Sequence, residues 1–267
     1  MESRRSFLKV AGVAALGLGT APVLKAVASN DAEGGGEGEH TPQPHVQKGE
    51  KALTAQQWAM VIDTRKLQTA ADLEPLVAAC NNIHNIPTFK NKNHEIKWIW
   101  ETEFHNAFPD KPNKFLSEAV EQRPFLALCN HCESPPCVRA CPTKATFKRP
   151  SDGIVMMDFH RCIGCRFCMV ACPFGARSFN FRDPEPFIKH KNLEFPTRMR
   201  GVVEKCNFCA ERLAVGEMPA CVEASNGAIA FGDLYDPESE VRALLKENFT
   251  IRRKQELGTE PSVYYIV

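Results

Sequence analysis

The run "RCIGCRFCMVACPFGAR", Arg161 to Arg177, sets four cysteines at spacings of three, three and four. Thiolates three residues apart on a tight loop aim at one point, as the ligands of a four-iron cube must. A fourth sulfur just ahead of a proline comes from the opposite half of such a fold, so each block lends its last cysteine to its partner's cluster. Two further blocks accompany this Cys162-x2-Cys165-x2-Cys168-x3-Cys172-Pro173 motif: Cys129-x2-Cys132-x4-Cys137-x3-Cys141-Pro142 and Cys206-x2-Cys209-x11-Cys221. The chain has twelve cysteines in 267 residues, and all except Cys80 lie between Cys129 and Cys221.

Other chemistries use cysteine pairs. A disulfide framework suits an oxidising compartment, but bridges within C-x2-C-x2-C close small, strained loops. Zinc sites use paired C-x2-C units, and the third block alone resembles half of one, so a zinc-holding scaffold stands as an alternative. The proline-terminated C-x2-C-x2-C-x3-C-P is the more specific signal, for iron and sulfide. Covalent haem needs C-x2-C-H, and no pair here is followed by histidine.

The elements that position these sulfurs are short. Apolar residues make up 43% and charged residues 24%, ordinary for a globular chain with a buried core, and the net charge of +1 favours neither nucleic acid nor an anionic membrane as partner. β-like runs recur at Ala59–Asp63, Glu95–Glu101, Gly153–Asp158, Arg177–Phe181 and Ala228–Asp233. One helix is expected near the end, capped by Asp236, with Pro237 in its first turn, Glu238 and Glu240 at its positive end, and "VRALL" as apolar face. Short strands, cysteine-rich loops and brief helices give an α+β fold organised around metal.

Residues 1–28 read as an export signal: Arg4 and Arg5 in "SRRSFLK", an apolar stretch from Val10 to Leu24 too short to span a bilayer comfortably, then Ala26-Val27-Ala28 as cleavage site. The motif resembles the twin-arginine signal, a route that exports folded proteins, so that clusters assemble in the cytoplasm before export to the periplasm or the outer face of the membrane. Residues 29–50, rich in Gly, Glu and Pro, read as a flexible linker. No other apolar stretch approaches bilayer length, so no transmembrane helix is expected in the mature chain.

"CNHCESPPCVRACPTKATFKRPSDGIVMMDFHRCIGCRFCMVACPFGAR", together with "VEKCNFCAERLAVGEMPACVEA", "FGDLYDPESEV" and "GTEPSVYYI", resembles the multi-cluster ferredoxin-like electron-transfer subunits of DMSO, polysulfide, tetrathionate and nitrite reductases and formate dehydrogenases. The resemblance implies two ferredoxin-like halves: an outer one split over 51–123 and 186–235, an inner one over 124–185, and a C-terminal helix and tail over 236–267. That family pattern holds four [4Fe–4S] clusters on sixteen cysteines. Here the first block keeps only its last cysteine, Cys80; the family spacing puts Ala70, Leu73 and Leu76 at its lost ligands, or Leu67 when counted from "MVID". The last block has Ser225-Asn226 where Cys-Pro belongs. All four losses fall on one cube. The resemblance therefore implies three clusters, on Cys129/Cys132/Cys137/Cys172, Cys162/Cys165/Cys168/Cys141 and Cys206/Cys209/Cys221/Cys80, with Ser225 structural.

No nucleophile–base arrangement, phosphate loop or flavin fingerprint is present, which points to electron conduction and not to catalysis. Within the family, the export signal and missing cluster point to the DsrO type, from the DsrMKJOP complex of sulfate reducers. That likeness implies an NrfD-like integral membrane subunit, a multihaem cytochrome c and other redox subunits as partners. A relay subunit of a molybdopterin reductase or formate dehydrogenase is the alternative. His131 is expected at the surface near its cluster, with tuning of a potential by hydrogen bonding as the alternative. Gly164 is expected to let the backbone wrap closely, Arg166, Arg177 and Arg212 to pair with acids, with added positive charge near clusters as the alternative, and Trp98–Phe104 to serve as core or partner surface.

Overall fold

The structure, a computed structural model, describes residues 49–111 and 113–267. The expected export signal, and nearly all of the expected linker, lie outside these residues. Strand β1 (Trp58–Asp63) is buried at every position because it is sandwiched. Its Met60 and Ile62 face the main core. Ala59 and Val61 face a second layer closed by Ala230, Ile266 and Val241. A strand covered on both sides reads as an unbroken apolar run and shows no alternation.

Helix α1 (Ala70–Ile83) opens with a capping box, in which the Asp72 carboxylate accepts from the Thr69 N–H at 2.8 Å. It buries Leu73, Leu76 and Cys80. Strand β2 (Ile99–Glu103) pairs antiparallel with β3 (Pro124–Leu128), which delivers the chain directly to Cys129. The strand expected over Glu95–Glu101 thus begins later, because Lys92–His94 forms a 3-10 turn held by the Asn91 side chain. Strands β4 (Thr146–Lys148) and β5 (Val155–Met157) pair between the first two cysteine blocks. Strands β6 (Ser178–Phe179) and β7 (Val203–Glu204) pair ahead of Cys206.

Strand β8 (Ile229–Asp233) flanks β1 antiparallel. The terminal strands β9 (Thr250–Ile251) and β10 (Val263–Ile266) complete a sheet of order β8-β1-β10-β9, with β10 parallel to β1. The helix before them is Glu240–Glu247, and its N-cap is Ser239, whose hydroxyl accepts from the Arg242 N–H. Asp236 instead accepts from the Glu238 N–H in the preceding turn. The expected cap is therefore displaced by three residues, since two Asx/Ser turns follow one another and the second meets the helix. The architecture is α+β: four small sheets, short helices and long cysteine-bearing loops. Among the described residues no helix is long and apolar enough to cross a membrane.

Candidate metal centres

The first C-x2-C turn of each block uses the same backbone device. The residue before the second cysteine is left-handed: His131 at φ 40°, Gly164 at 70° and Phe208 at 56°. That conformation folds the chain back so that both sulfurs face inward, and it costs a non-glycine residue free energy that surrounding contacts must offset. His131 and Phe208 offset it together, their rings stacking at a centroid distance of 3.7 Å. At Gly164 the glycine is required twice over, because an added Cβ would stand 2.5 Å from the Gly201 carbonyl oxygen.

Several of the sulfurs named by the resemblance lie near one another. Burial pushes the Cys80 thiol far above its usual range, and the neighbouring sulfurs of Cys206, Cys209 and Cys221 push it further. Cys221 is pushed up to about 11 by burial, with N–H groups of its own loop opposing. Cys132 is pushed up to about 12 by burial and then by Cys129, with Cys137 and Cys172 adding to it. Those four line one cavity with Pro135, Pro136 and Phe174. Cys168 is raised by burial and by Cys137, Cys141 and Cys162, with Arg177 opposing; Cys165 lies half-buried on the same loop. Cys141 alone moves down: burial raises it, but the Thr146 N–H at 3.4 Å and groups of Thr143 outweigh that.

These three groups of sulfurs adjoin one another. Cys206 sits beside Cys129, and Cys168 beside Cys137, so the Cys129 set lies between the other two. None of the twelve cysteines, all of them among the described residues, is in a disulfide. Buried thiols massed like this lose their protons only to a cation that replaces the lost positive charge. Four convergent sulfurs per site, apolar walls and no competing disulfide fit a [4Fe–4S] cube.

The positions that the family spacing gives to the remaining ligands carry no cysteine. Leu73 and Leu76 are each 1% exposed and pack in the main core, as does Leu67, while Ala70 faces solvent. The Ser225 hydroxyl donates to the Val222 carbonyl at 2.7 Å and accepts from the Ile229 N–H at 3.1 Å. It tightens the turn into β8, a structural role.

Three expectations about surrounding side chains are corrected. His131 is fully buried, not at the surface; its Nδ1 accepts from the Val155 N–H at 3.1 Å, and stacking on Phe208 keeps it inside. Arg177 has cysteines for neighbours in place of an acid. Arg166 lies over the Phe179 and Phe181 rings at 5.4 and 5.7 Å. Arg212 does pair with acids, Glu217 at 2.9 Å and Glu223 at 2.7 Å. Trp98 is core, donating to Glu204 at 2.7 Å, where Arg198 completes a fully buried ion pair at 2.8 Å.

Sequence reasoning missed two contacts with the sulfur sites. His84, one helical turn after Cys80, places Nδ1 3.6 Å from that sulfur, and its Nε2 lies 2.7 Å from the Glu211 carboxylate, beside Cys209. The i,i+4 spacing on α1 was the available signal. The C-terminal tail also straps the first block: Ser262 donates through N–H to Asn130 and through its hydroxyl to the His131 carbonyl, and the Glu133 and Ser134 N–H groups donate to Glu260 and Thr259.

A family model for a 4Fe-4S dicluster domain matches residues 121–185, which hold the first two cysteine blocks. The chain is 40% identical to the Hdr-like menaquinol oxidoreductase iron-sulfur subunit 1 of Archaeoglobus fulgidus, over 99% of this chain and 98% of that one. It belongs to the family of multi-cluster iron–sulfur electron-transfer subunits. This subunit is also 37% identical to the menaquinone reductase iron-sulfur cluster-binding subunit of Nitratidesulfovibrio vulgaris, covering 78% of this chain and 88% of that one. Protein NrfC of Escherichia coli K12 matches at 34% over 70% of this chain and 72% of its own length. Like its family, this chain is an electron-transfer iron–sulfur subunit of an oxidoreductase complex.

Proposed function

We propose that this subunit relays electrons through three [4Fe–4S] clusters, held by Cys162/Cys165/Cys168/Cys141, Cys129/Cys132/Cys137/Cys172 and Cys206/Cys209/Cys221/Cys80 in that spatial order. The observation that carries the reading is the meeting of Cys80 with Cys206, Cys209 and Cys221, while Leu73, Leu76 and Ser225 occupy the fourth position. The clusters, when bound, supply one-electron redox chemistry. The chain's residues hold them by sulfur, exclude water and set their electrostatic surroundings. Domain boundaries follow the ligand exchange, with an inner ferredoxin-like half over 124–185 and an outer half split over 51–123 and 186–235.

The complex is of the DsrMKJOP type, linked to sulfur metabolism, with an NrfD-like membrane subunit and a multihaem cytochrome c as partners. Likeness to subunits named for menaquinol and menaquinone supports a quinone-linked membrane partner. The Arg4-Arg5 motif supports export by the twin-arginine route to the periplasmic side. A relay for an oxyanion reductase is the second reading, favoured by 35% identity to a selenate reductase subunit of Mesobacillus selenatarsenatis over 99% of this chain.

Anaerobic purification with iron and sulfide counts tests the cluster number: about twelve irons, at four per cube, are expected, and sixteen would overturn the loss of the fourth site. In a second measurement, Cys80→Ala removes one cluster's EPR signal and spares the other two. An unchanged spectrum would remove Cys80 from the ligand set.

A further inference from the structure

Arg177 is a buried cation in the cysteine region whose charged neighbours are sulfurs and not carboxylates. Its residue is 5% exposed. Nη1 donates to the Thr146 hydroxyl at 3.1 Å and lies 3.9 Å from the Met157 sulfur. Nη2 is buried with no hydrogen-bond partner among the described residues. The side chain lines the cavity bounded by Cys129, Cys132, Cys137 and Cys172, and it also neighbours Cys168 of the adjoining set. Burial works against its charge, and the sulfurs of Cys137, Cys168 and Cys129 more than reverse that.

A buried guanidinium with a free donor is costly unless something anionic faces it. Lys205, another buried cation nearby, shows the contrast: its Nζ donates to the carbonyls of Val155 and Cys206. The cavity that Arg177 lines is bounded by four cysteines, a lining that fits an anionic cluster. A cube on four thiolates carries net negative charge, which grows by one on reduction, and its sulfurs accept hydrogen bonds.

We propose that Arg177 is a cofactor-binding residue: Nη2 donates to a sulfur of the cluster on Cys129/Cys132/Cys137/Cys172, stabilises its reduced form, and raises the potential of this middle step of the relay. The electron that arrives is stabilised by a fixed cation in a water-poor site, where the interaction is far less screened than at the surface. The adjoining cluster, through Cys168, feels the same charge more weakly. This rests on the ligand sets proposed above.

The test is an EPR-monitored redox titration of the whole subunit. In Arg177→Gln the midpoint of the Cys129-set cluster shifts to more negative potential, that of the Cys168-set cluster shifts less, and that of the Cys80-set cluster stays put. Arg177→Lys recovers most of the shift. Arg166→Gln, which removes an exposed charge beside Cys165, moves the middle cluster little. Unchanged midpoints in Arg177→Gln with full iron content overturn the proposal and leave the three-cluster reading standing; a wild-type count other than twelve irons fails that reading on its own. In wild-type protein labelled with nitrogen-15 arginine, pulsed EPR of the reduced middle cluster shows a guanidinium nitrogen coupling. Its absence overturns the proposal even where the variants do not fold.

Discussion

Backbone conformation at single positions decides whether the sulfurs can converge. His131, Gly164 and Phe208 occupy equivalent places in their turns, but only Gly164 lacks the stacking that compensates a left-handed side chain. Gly164→Ala should therefore destabilise by on the order of 1–3 kcal/mol through strain alone, with the Gly201 contact adding to it. Iron analysis of the variant is expected to show loss confined to the Cys162/Cys165/Cys168/Cys141 set; full occupancy and an unchanged melting temperature would contradict the account. The roles of Gly164 and Arg212 were legible from residue type and spacing. Those of His131 and Arg177 were not. A histidine between two ligands and an arginine after a third carry no mark of burial in the sequence, because depth is set by strands from elsewhere.

Helix α1 is held by its apolar face. A capped helix turns Leu73 and Leu76 inward and keeps Cys80 at its C-terminal end. Both leucines are 1% exposed, so Leu76→Ala should cost about 2–5 kcal/mol, read from chemical denaturation. Returning cysteines to positions 70, 73, 76 and 225 together should not raise the iron count. Residue 70 is in the exposed first turn, and Ser225 serves a turn and not a ligand loop. A sixteen-iron product would show instead that only side chains were lost. The strands were legible where an apolar run stood between polar breaks, as at β1, β5 and β8. β3, which begins on proline, and β10, in the tail, were not, since each depends on partners distant in the chain.

Among the described residues the cysteine loops lie between small sheets, with the C-terminal strand placed between β1 and β9. No single sheet is large, and the main core includes Cys80, Cys129, Cys132, Cys206 and Cys221 among its apolar residues. Metal binding and folding should therefore be coupled. Protein produced without iron is expected to melt at lower temperature with a broadened transition and to bind a hydrophobic dye; identical melting with and without iron would show that the shell folds independently. The arrangement is asymmetric as well. The Cys162 and Cys165 end is partly exposed beside Ile163, Phe167 and Val170, whereas the Cys80 end is closed by α1.

Cysteine spacing by itself pointed to iron–sulfur chemistry, because a cube constrains its ligands to short local intervals that survive as a pattern of letters. The physical meeting of Cys80 with a block more than a hundred residues away, the burial of Leu73 and Leu76 and the guanidinium among the sulfurs were decided by the tertiary structure. Those features depend on distances across the core, and a one-dimensional spacing holds no information about them.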